Sequence, residues 1–212
     1  MIVAYLPGHA SPETRCHFER RIIGEGEPVP ADVIWIDMLN PSREEDARVE
    51  ARLGLSIPTR EESENIEPSE VLYVENGVRY MSARILCQSE SETPQLAPIS
   101  FILKDHHLVT VRYDEPRSFQ MFINRMARPS ACTPTGDHML ISLFETVIDR
   151  AAELLRMAGE RIDDVSPMVF GKGGANENDP RVFRETLQTL GLEGARISKV
   201  RERLVSIERM LL

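Results

Sequence analysis

The sequence predicts an α/β protein in which a mixed β-sheet carries packed helices and leads into a long antiparallel helix pair. Three observations predict it. Short β-branched or aromatic runs punctuated by turn signals fill the first half, two capping boxes open short helices among them, and from residue 137 apolar residues recur in steps of three and four. Of 212 residues, 42% are apolar and 28% charged, with 14 Pro and 12 Gly, which excludes disorder, collagen and a disulfide scaffold. A chain of this length buries roughly 70% of its unfolded surface and needs no metal or disulfide in order to fold.

Residues 1–6 and 33–37 read as strands, separated by a polar stretch containing Pro and Gly. Ser42 and Glu45 have the spacing of a capping box, and Gly54 can close the short helix behind them in a left-handed cap. Thr59 and Glu62 repeat that box. Residues 61–75 then hold six acids (Glu61, Glu62, Glu64, Glu67, Glu70 and Glu75) and no Lys or Arg, the densest single-sign patch in the chain. Residues 71–74 and 78–86 flank Asn76-Gly77, the dipeptide suited to a type I′ hairpin turn. Residues 99–103 and 108–113 form a second hairpin around Lys104-Asp105-His106-His107.

A long helix starts at Asp137, with Leu140, Phe144, Val147, Ala151, Leu154, Ala158, Ile162 and Val165 on one face. Residues 171–178 (GKGGANEN) break it, and Asp179-Pro180 restarts a helix with a cap and an N1 proline. Phe183, Leu187, Leu190, Gly194, Ile197, Leu204, Ile207 and Leu211 continue a heptad-like stripe. Gly191 and Gly194 each cost about 1 kcal/mol relative to alanine in a helix, so close packing against a neighbour is expected there. The expected division is a sheet domain over 1–136 and, packed on the same domain, a helical hairpin over 137–212. The apolar residues Met210, Leu211 and Leu212 carry no stop signal, so the sequence reads as a piece of a longer protein.

The charge balance, 25 Lys and Arg against 34 Asp and Glu, gives −9 at pH 7. It argues against nucleic acid as a partner and favours a cation or a basic surface. Cys16, Cys87 and Cys132 make an odd count without a CxxC pair, and no signal peptide precedes them, which places the domain in a reducing, cytoplasmic setting. No run of about 18 apolar residues is present to cross a bilayer.

Catalytic constellations are not written here. His106-His107 reads as a hairpin tip, because adjacent strand residues point to opposite faces. Cys16-His17 lacks a base approaching from elsewhere, and Gly171-Lys172-Gly173-Gly174 follows a helix and lacks P-loop spacing. With neither GxSxG nor HExxH, the expectation is a protein that is not an enzyme. The acids carry the chemical content. Mg²⁺ prefers carboxylate and water oxygens, and Glu61 and Glu62, with Asp163 and Asp164 on the long helix, are candidate ligands. The competing reading is that Glu62 serves only its capping box and the other acids only solvent.

Taken in order, residues 35–46 (WIDMLNPSREED), 57–86 (IPTREESENIEPSEVLYVENGVRYMSARIL) and 99–116 (ISFILKDHHLVTVRYDEP), followed by the helices from Asp137 and Asp179, resemble the cytoplasmic domain of the CorA family of divalent-cation transporters. The resemblance implies an α/β/α sandwich with a mixed sheet, followed by long helices whose last member is a stalk entering the membrane of a funnel-shaped homopentamer. It implies a regulatory, metal-sensing domain on the cytoplasmic side of the inner (plasma) membrane. Two transmembrane helices and a Gly-Met-Asn pore motif, absent from this sequence, would follow the stalk, and Mg²⁺, also Co²⁺ or Ni²⁺, would pass down its gradient.

The resemblance also places Glu62 at the acidic position of a metal site between subunits, as Glu where Asp is familiar, with its stalk partner beyond Leu212. The acidic lobe between the family's paired helices is reduced here to GKGGANEN. A Zn²⁺ transporter of the ZntB type shares this architecture and is the alternative ion specificity. A free-standing helical interaction module is the rival from another class, and a soluble hydrolase comes third.

Overall fold

The computed structural model describes residues 1–8, 18–65, 71–87, 95–127, 135–170 and 180–211. Seven strands form one sheet: β1 (Ile2–Pro7), β2 (Phe18–Ile23), β3 (Trp35–Leu39), β4 (Leu72–Glu75), β5 (Val78–Cys87), β6 (Gln95–Lys104) and β7 (His107–Arg112). Their order across the sheet is β2-β1-β3-β7-β6-β5-β4. Every pairing is antiparallel except β3 with β7, which runs parallel and joins the two antiparallel halves. Between β3 and β4 lie α1 (Arg43–Leu53) and α2 (Arg60–Glu64). After β7 come α3 (Arg117–Met126), α4 (Gly136–Phe170) and α5 (Pro180–Leu211).

Strand alternation divides the core between two faces. Val3, Tyr5, Trp35, Met81, Ile85, Phe101 and Leu108 meet Phe119 and Phe122 of α3, Leu143, Phe144 and Val147 of α4, and Ile207 and Met210 of α5. The neighbouring residues Ile2, Ala4, Ile36, Met38, Tyr80, Ile102 and Val109 face the opposite way and bury Val49 and Leu53 of α1 with Leu55 and Ile57. The result is the three-layered α/β/α sandwich with a mixed sheet that the resemblance implied, and α4 and α5 share a core with the sheet.

Both predicted capping boxes form. The Ser42 side chain accepts from the Glu45 amide while the Glu45 carboxylate accepts from the Ser42 amide, and Gly54 closes α1 at φ 63°. Asn76 and Gly77 both take positive φ, 50° and 78°, as the tight turn between β4 and β5 requires. Asp105 and His106 turn the second hairpin, and the His107 ring meets the Val33 carbonyl oxygen. Gly136 allows α4 to start against that hairpin, since its amide donates to the His106 carbonyl at 2.8 Å and a Cβ there would lie 2.7 Å from the backbone of His107 and Leu108.

A buried polar chain fastens the parallel junction. The Arg112 guanidinium grips Asp37 from Nε (2.9 Å to Oδ1) and Nη2 (2.8 Å to Oδ2), with both side chains 3% exposed or less. Thr110 donates to Asp37 at 2.8 Å, and the Trp35 indole donates to Thr110 at 3.0 Å. Burial works against the charge on Arg112, but the hydrogen bonds and charge of Asp37 outweigh it, and its pKa moves up. The Phe119 ring lies 5.1 Å from the guanidinium carbon.

The long helices form as predicted and run antiparallel. Arg161 of α4 and Arg196 of α5 both donate to the buried Glu193 of α5, at 2.8 and 2.7 Å. Three features differ from the sequence reading. The stretch between the first two strands contains β2, an edge strand whose Glu19, Arg20 and Arg21 are exposed and so lack the apolar signature of a core strand. Helix α3 was not predicted, because Pro116 at its N-cap makes no side-chain cap. A Cβ at Gly191 or Gly194 would meet nothing within 4 Å, so no packing among the described residues requires glycine at either position.

Removing one partner of the buried pair should leave an uncompensated charge. Asp37→Ala is expected to lower stability by about 3–5 kcal/mol in urea unfolding, and the apolar double exchange Asp37→Leu with Arg112→Met by much less. A loss below about 1 kcal/mol for the single variant, the range of an exposed pair, would remove the pair from its structural role.

Candidate functional site

The described ends of the acidic segment, residues 61–65 and 71–75, border a common cavity. Thr59 N-caps the five-residue α2, its hydroxyl accepting from the Glu62 amide, while Glu62 Oε2 accepts from the Thr59 amide and hydroxyl, each at 2.8 Å. Those hydrogen bonds, the backbone one first, hold the Glu62 carboxyl below its ordinary pKa against a smaller effect of burial. One oxygen of Glu62 is thus committed to the cap and the group stays ionised at neutral pH.

The β4–β5 hairpin carries the other end of the segment to the same place. Glu62 and Glu75 line one cavity of about 520 Å³, whose walls also include Ser56, Ser82 and Tyr80. At its floor the Ser63 and Ser100 hydroxyls meet at 3.2 Å, and the Tyr80 hydroxyl accepts from the Ser56 amide at 3.1 Å. Tyr73 stacks on Tyr80, its cross-strand partner, with ring centroids 4.8 Å apart, which stiffens the hairpin that the Tyr80 hydroxyl ties to Ser56. Two carboxylates and a set of hydroxyls offer oxygen ligands only, with neither His nor Cys in the lining.

Glu61, one residue earlier, opens into a different cavity of about 480 Å³ that it shares with Asp46, Arg43 and Arg60. The Asp46 carboxyl is pushed up, first by burial and then by the charges of Glu50 and Glu45. Two guanidinium groups make that cavity a poorer cation site than the one holding Glu62. Asp163 and Asp164 are exposed on α4, which packs on the face of the sheet opposite to α2. One chain therefore does not bring them to Glu61 or Glu62. Among the described residues, no group of three or more His, Cys, Asp or Glu side chains converges on a metal position.

Glu75 is the residue that spacing alone did not single out, since the Asn76-Gly77 turn signals that β4 pairs with β5 but not where that hairpin lies. Cys87 is buried, and burial first, then the charge of Asp114, pushes its thiol up to about 11, so it stays neutral at physiological pH. His9, Cys16, His17, Cys132 and the GKGGANEN segment lie outside the described residues.

The model of the CorA-like Mg²⁺ transporter protein family matches residues 30–211. The magnesium transport protein CorA of Haemophilus influenzae is 27% identical over 178 residues, which cover 84% of this chain and 55% of that protein. The chain thus spans about half the length of the curated relatives it matches. Among solved structures, the soluble domain of CorA from Methanocaldococcus jannaschii superposes with a TM-score of 0.57 at 10% identity, covering 95% of this chain and 94% of that one. The ZntB cytoplasmic domain from Vibrio parahaemolyticus gives 0.55 at 11% identity, over 98% and 82%. No helix among the described residues is long and apolar enough to cross a membrane.

Because the Glu62 carboxyl is held below its ordinary range in the fold, its contribution to stability is complete above the unfolded value near 4.5 and is lost as pH falls through the folded one. Thr59→Ala should raise the Glu62 pKa toward that ordinary value in an NMR titration and cost about 1 kcal/mol at pH 7. The cost should shrink below pH 4. A Glu62 pKa unchanged by the substitution would show that the Thr59 hydroxyl does not help to set it.

Proposed function

Since the chain belongs to the CorA-like Mg²⁺ transporter family, we propose that it is the regulatory, metal-sensing part of a longer protein that conducts Mg²⁺, and also Co²⁺, across the inner (plasma) membrane. The match over residues 30–211 carries this reading. A transporter's sensing domain has no reaction to catalyse, which accords with the neutral, buried Cys87. The domain sits on the cytoplasmic side, and the membrane-spanning part belongs to the half of the relatives' length that this chain does not span.

The sensed ion binds in the cavity of Glu62 and Glu75. Mg²⁺ keeps several waters and takes one or two protein carboxylates, which is what two carboxylates and surrounding hydroxyls provide. Asp163 and Asp164 reach such an ion only from another subunit of a homopentamer. Ile141, Ile148 and Leu155, spaced by seven on α4, are exposed and supply an apolar stripe for that association. Bound cation bridges carboxylates and favours the closed assembly, and its loss restores like-charge repulsion. Zn²⁺ as the transported ion is the second reading, favoured by the likeness to the ZntB domain. An oxygen-only ligand set suits Mg²⁺ better than Zn²⁺ as the sensed ion.

In proteoliposomes holding the full-length protein, Mg²⁺ influx should close as internal Mg²⁺ rises. Glu62→Lys should raise the concentration for half-closure by about tenfold or more, a coupling of roughly 1.4 kcal/mol. Unchanged closure would take Glu62 out of the sensor, and influx of Zn²⁺ without Mg²⁺ would transfer the reading to the zinc branch.

A further inference from the structure

A second cavity, of about 500 Å³, lies between α5 and the edge formed by β5 and the start of β6, next to the acidic segment, whose Val71 lines it and whose own cavity shares Ser82 with it. It is lined by Arg84, Arg201, Arg203 and Arg209 against the single carboxylate of Glu202, a concentration of positive charge in a chain of net charge −9. Arg84 donates to the Glu64 carbonyl at 3.1 Å, and Arg201 and Arg209 are exposed. Arg203 is different. Only 2% exposed, it has no hydrogen-bond partner for Nε or Nη2 among the described residues.

A buried guanidinium without partners is costly, and such groups are ordinarily paired. The neutral Cys87 thiol supplies no counter-charge, and the exposed Glu202 carboxylate acts on Arg203 only through its charge, without a hydrogen bond to Nε or Nη2. Burial draws the Arg203 pKa down to about 10, which leaves the group charged at neutral pH. Nε and Nη2 are the two donors on one edge of the guanidinium plane, the edge that grips an oxyanion through two parallel hydrogen bonds; both are closed to solvent without an anion, so binding has to open that edge to the cavity. Three further arginines call for a multiply charged anion over a single carboxylate, and the hydroxyls of Ser198 and Ser206 line the same cavity as donors for additional oxygens.

We infer that this cavity is a phosphate-group site, with Arg203 as the buried bidentate anchor and Arg201 and Arg209 as the charged rim. The phosphate group belongs to a soluble phosphate compound or to a lipid headgroup, and the inference is independent of ion transport. The site stores an unpaired charge until the anion arrives, so occupancy stabilises the fold and couples α5 to the sheet edge.

The test follows thermal unfolding and calorimetric binding of the chain with pyrophosphate, inorganic phosphate, malonate, and vesicles with or without phosphatidic acid. Pyrophosphate should raise the melting temperature by several degrees when present at about a hundredfold excess over its Kd, and the effect should fall with added salt. Arg203→Met should melt higher than the native chain without anion and lose the anion-induced rise. Should that variant not fold, the surface double variant Arg201→Ala with Arg209→Ala should weaken binding by about tenfold or more. Binding of pyrophosphate alone identifies a soluble source, and binding of phosphatidic acid vesicles alone a lipid. No binding by either, equal binding by malonate, or binding unaltered in both variants would overturn the site.

Discussion

The parallel pairing of β3 with β7 is the constraint on which the rest of the architecture depends. It joins an antiparallel β2-β1-β3 half to an antiparallel β7-β6-β5-β4 half, and the residues that meet there are separated by about 75 positions in the chain. Backbone hydrogen bonds alone do not choose that register. The chain Trp35, Thr110, Asp37 and Arg112 does, because a buried aspartate and arginine are tolerable only in the one alignment that pairs them. Trp35 also stacks on Tyr5 of β1 at 4.3 Å and packs on Phe119 and Phe122 of α3, so the same position ties the junction to the helical layer.

Once the junction is fixed, the sheet separates two chemistries. The face carrying α1 and α2 holds the cavity of Glu62 and Glu75, the opposite face receives α3, α4 and α5, and the arginine-lined cavity opens at the β5 edge, where Ser82 borders both cavities. Carboxylates proposed to bind a cation and a buried guanidinium whose Nε and Nη2 have no partner among the described residues thus share one chain of 212 residues. The sheet also keeps the acids of α4 away from the Glu62 cavity within one chain, so the proposed bridging requires a second subunit and would couple ion binding to assembly.

Local signals were legible in the sequence wherever one residue type forces a geometry. The boxes at Ser42–Glu45 and Thr59–Glu62, the left-handed Gly54 and the Asn76-Gly77 turn form as written, and the buried face of α4 follows its three-four periodicity. What escaped was set by tertiary context. β2 is a strand because β1 offers it an edge, not because Glu19, Arg20 and Arg21 favour one. α3 buries Phe119, Phe122 and Met126 without a capping signal. That Glu62 and Glu75 line one cavity depends on where the hairpin lies, and the lack of a partner for Arg203 Nε and Nη2 among the described residues depends on its burial, neither of which spacing encodes.

The central claim is that the chain receives a hard divalent cation between Glu62 and Glu75, on the α2 face of the sheet. Mn²⁺ accepts the same oxygen ligands as Mg²⁺ and broadens NMR signals near it even when it binds weakly. Titrating Mn²⁺ into the isotope-labelled chain should first broaden the amides of Glu62, Glu75 and Ser82, with Mg²⁺ restoring them by competition. Broadening centred on Asp163 and Asp164, on Glu61 and Asp46, or spread evenly over all exposed acids would contradict the account.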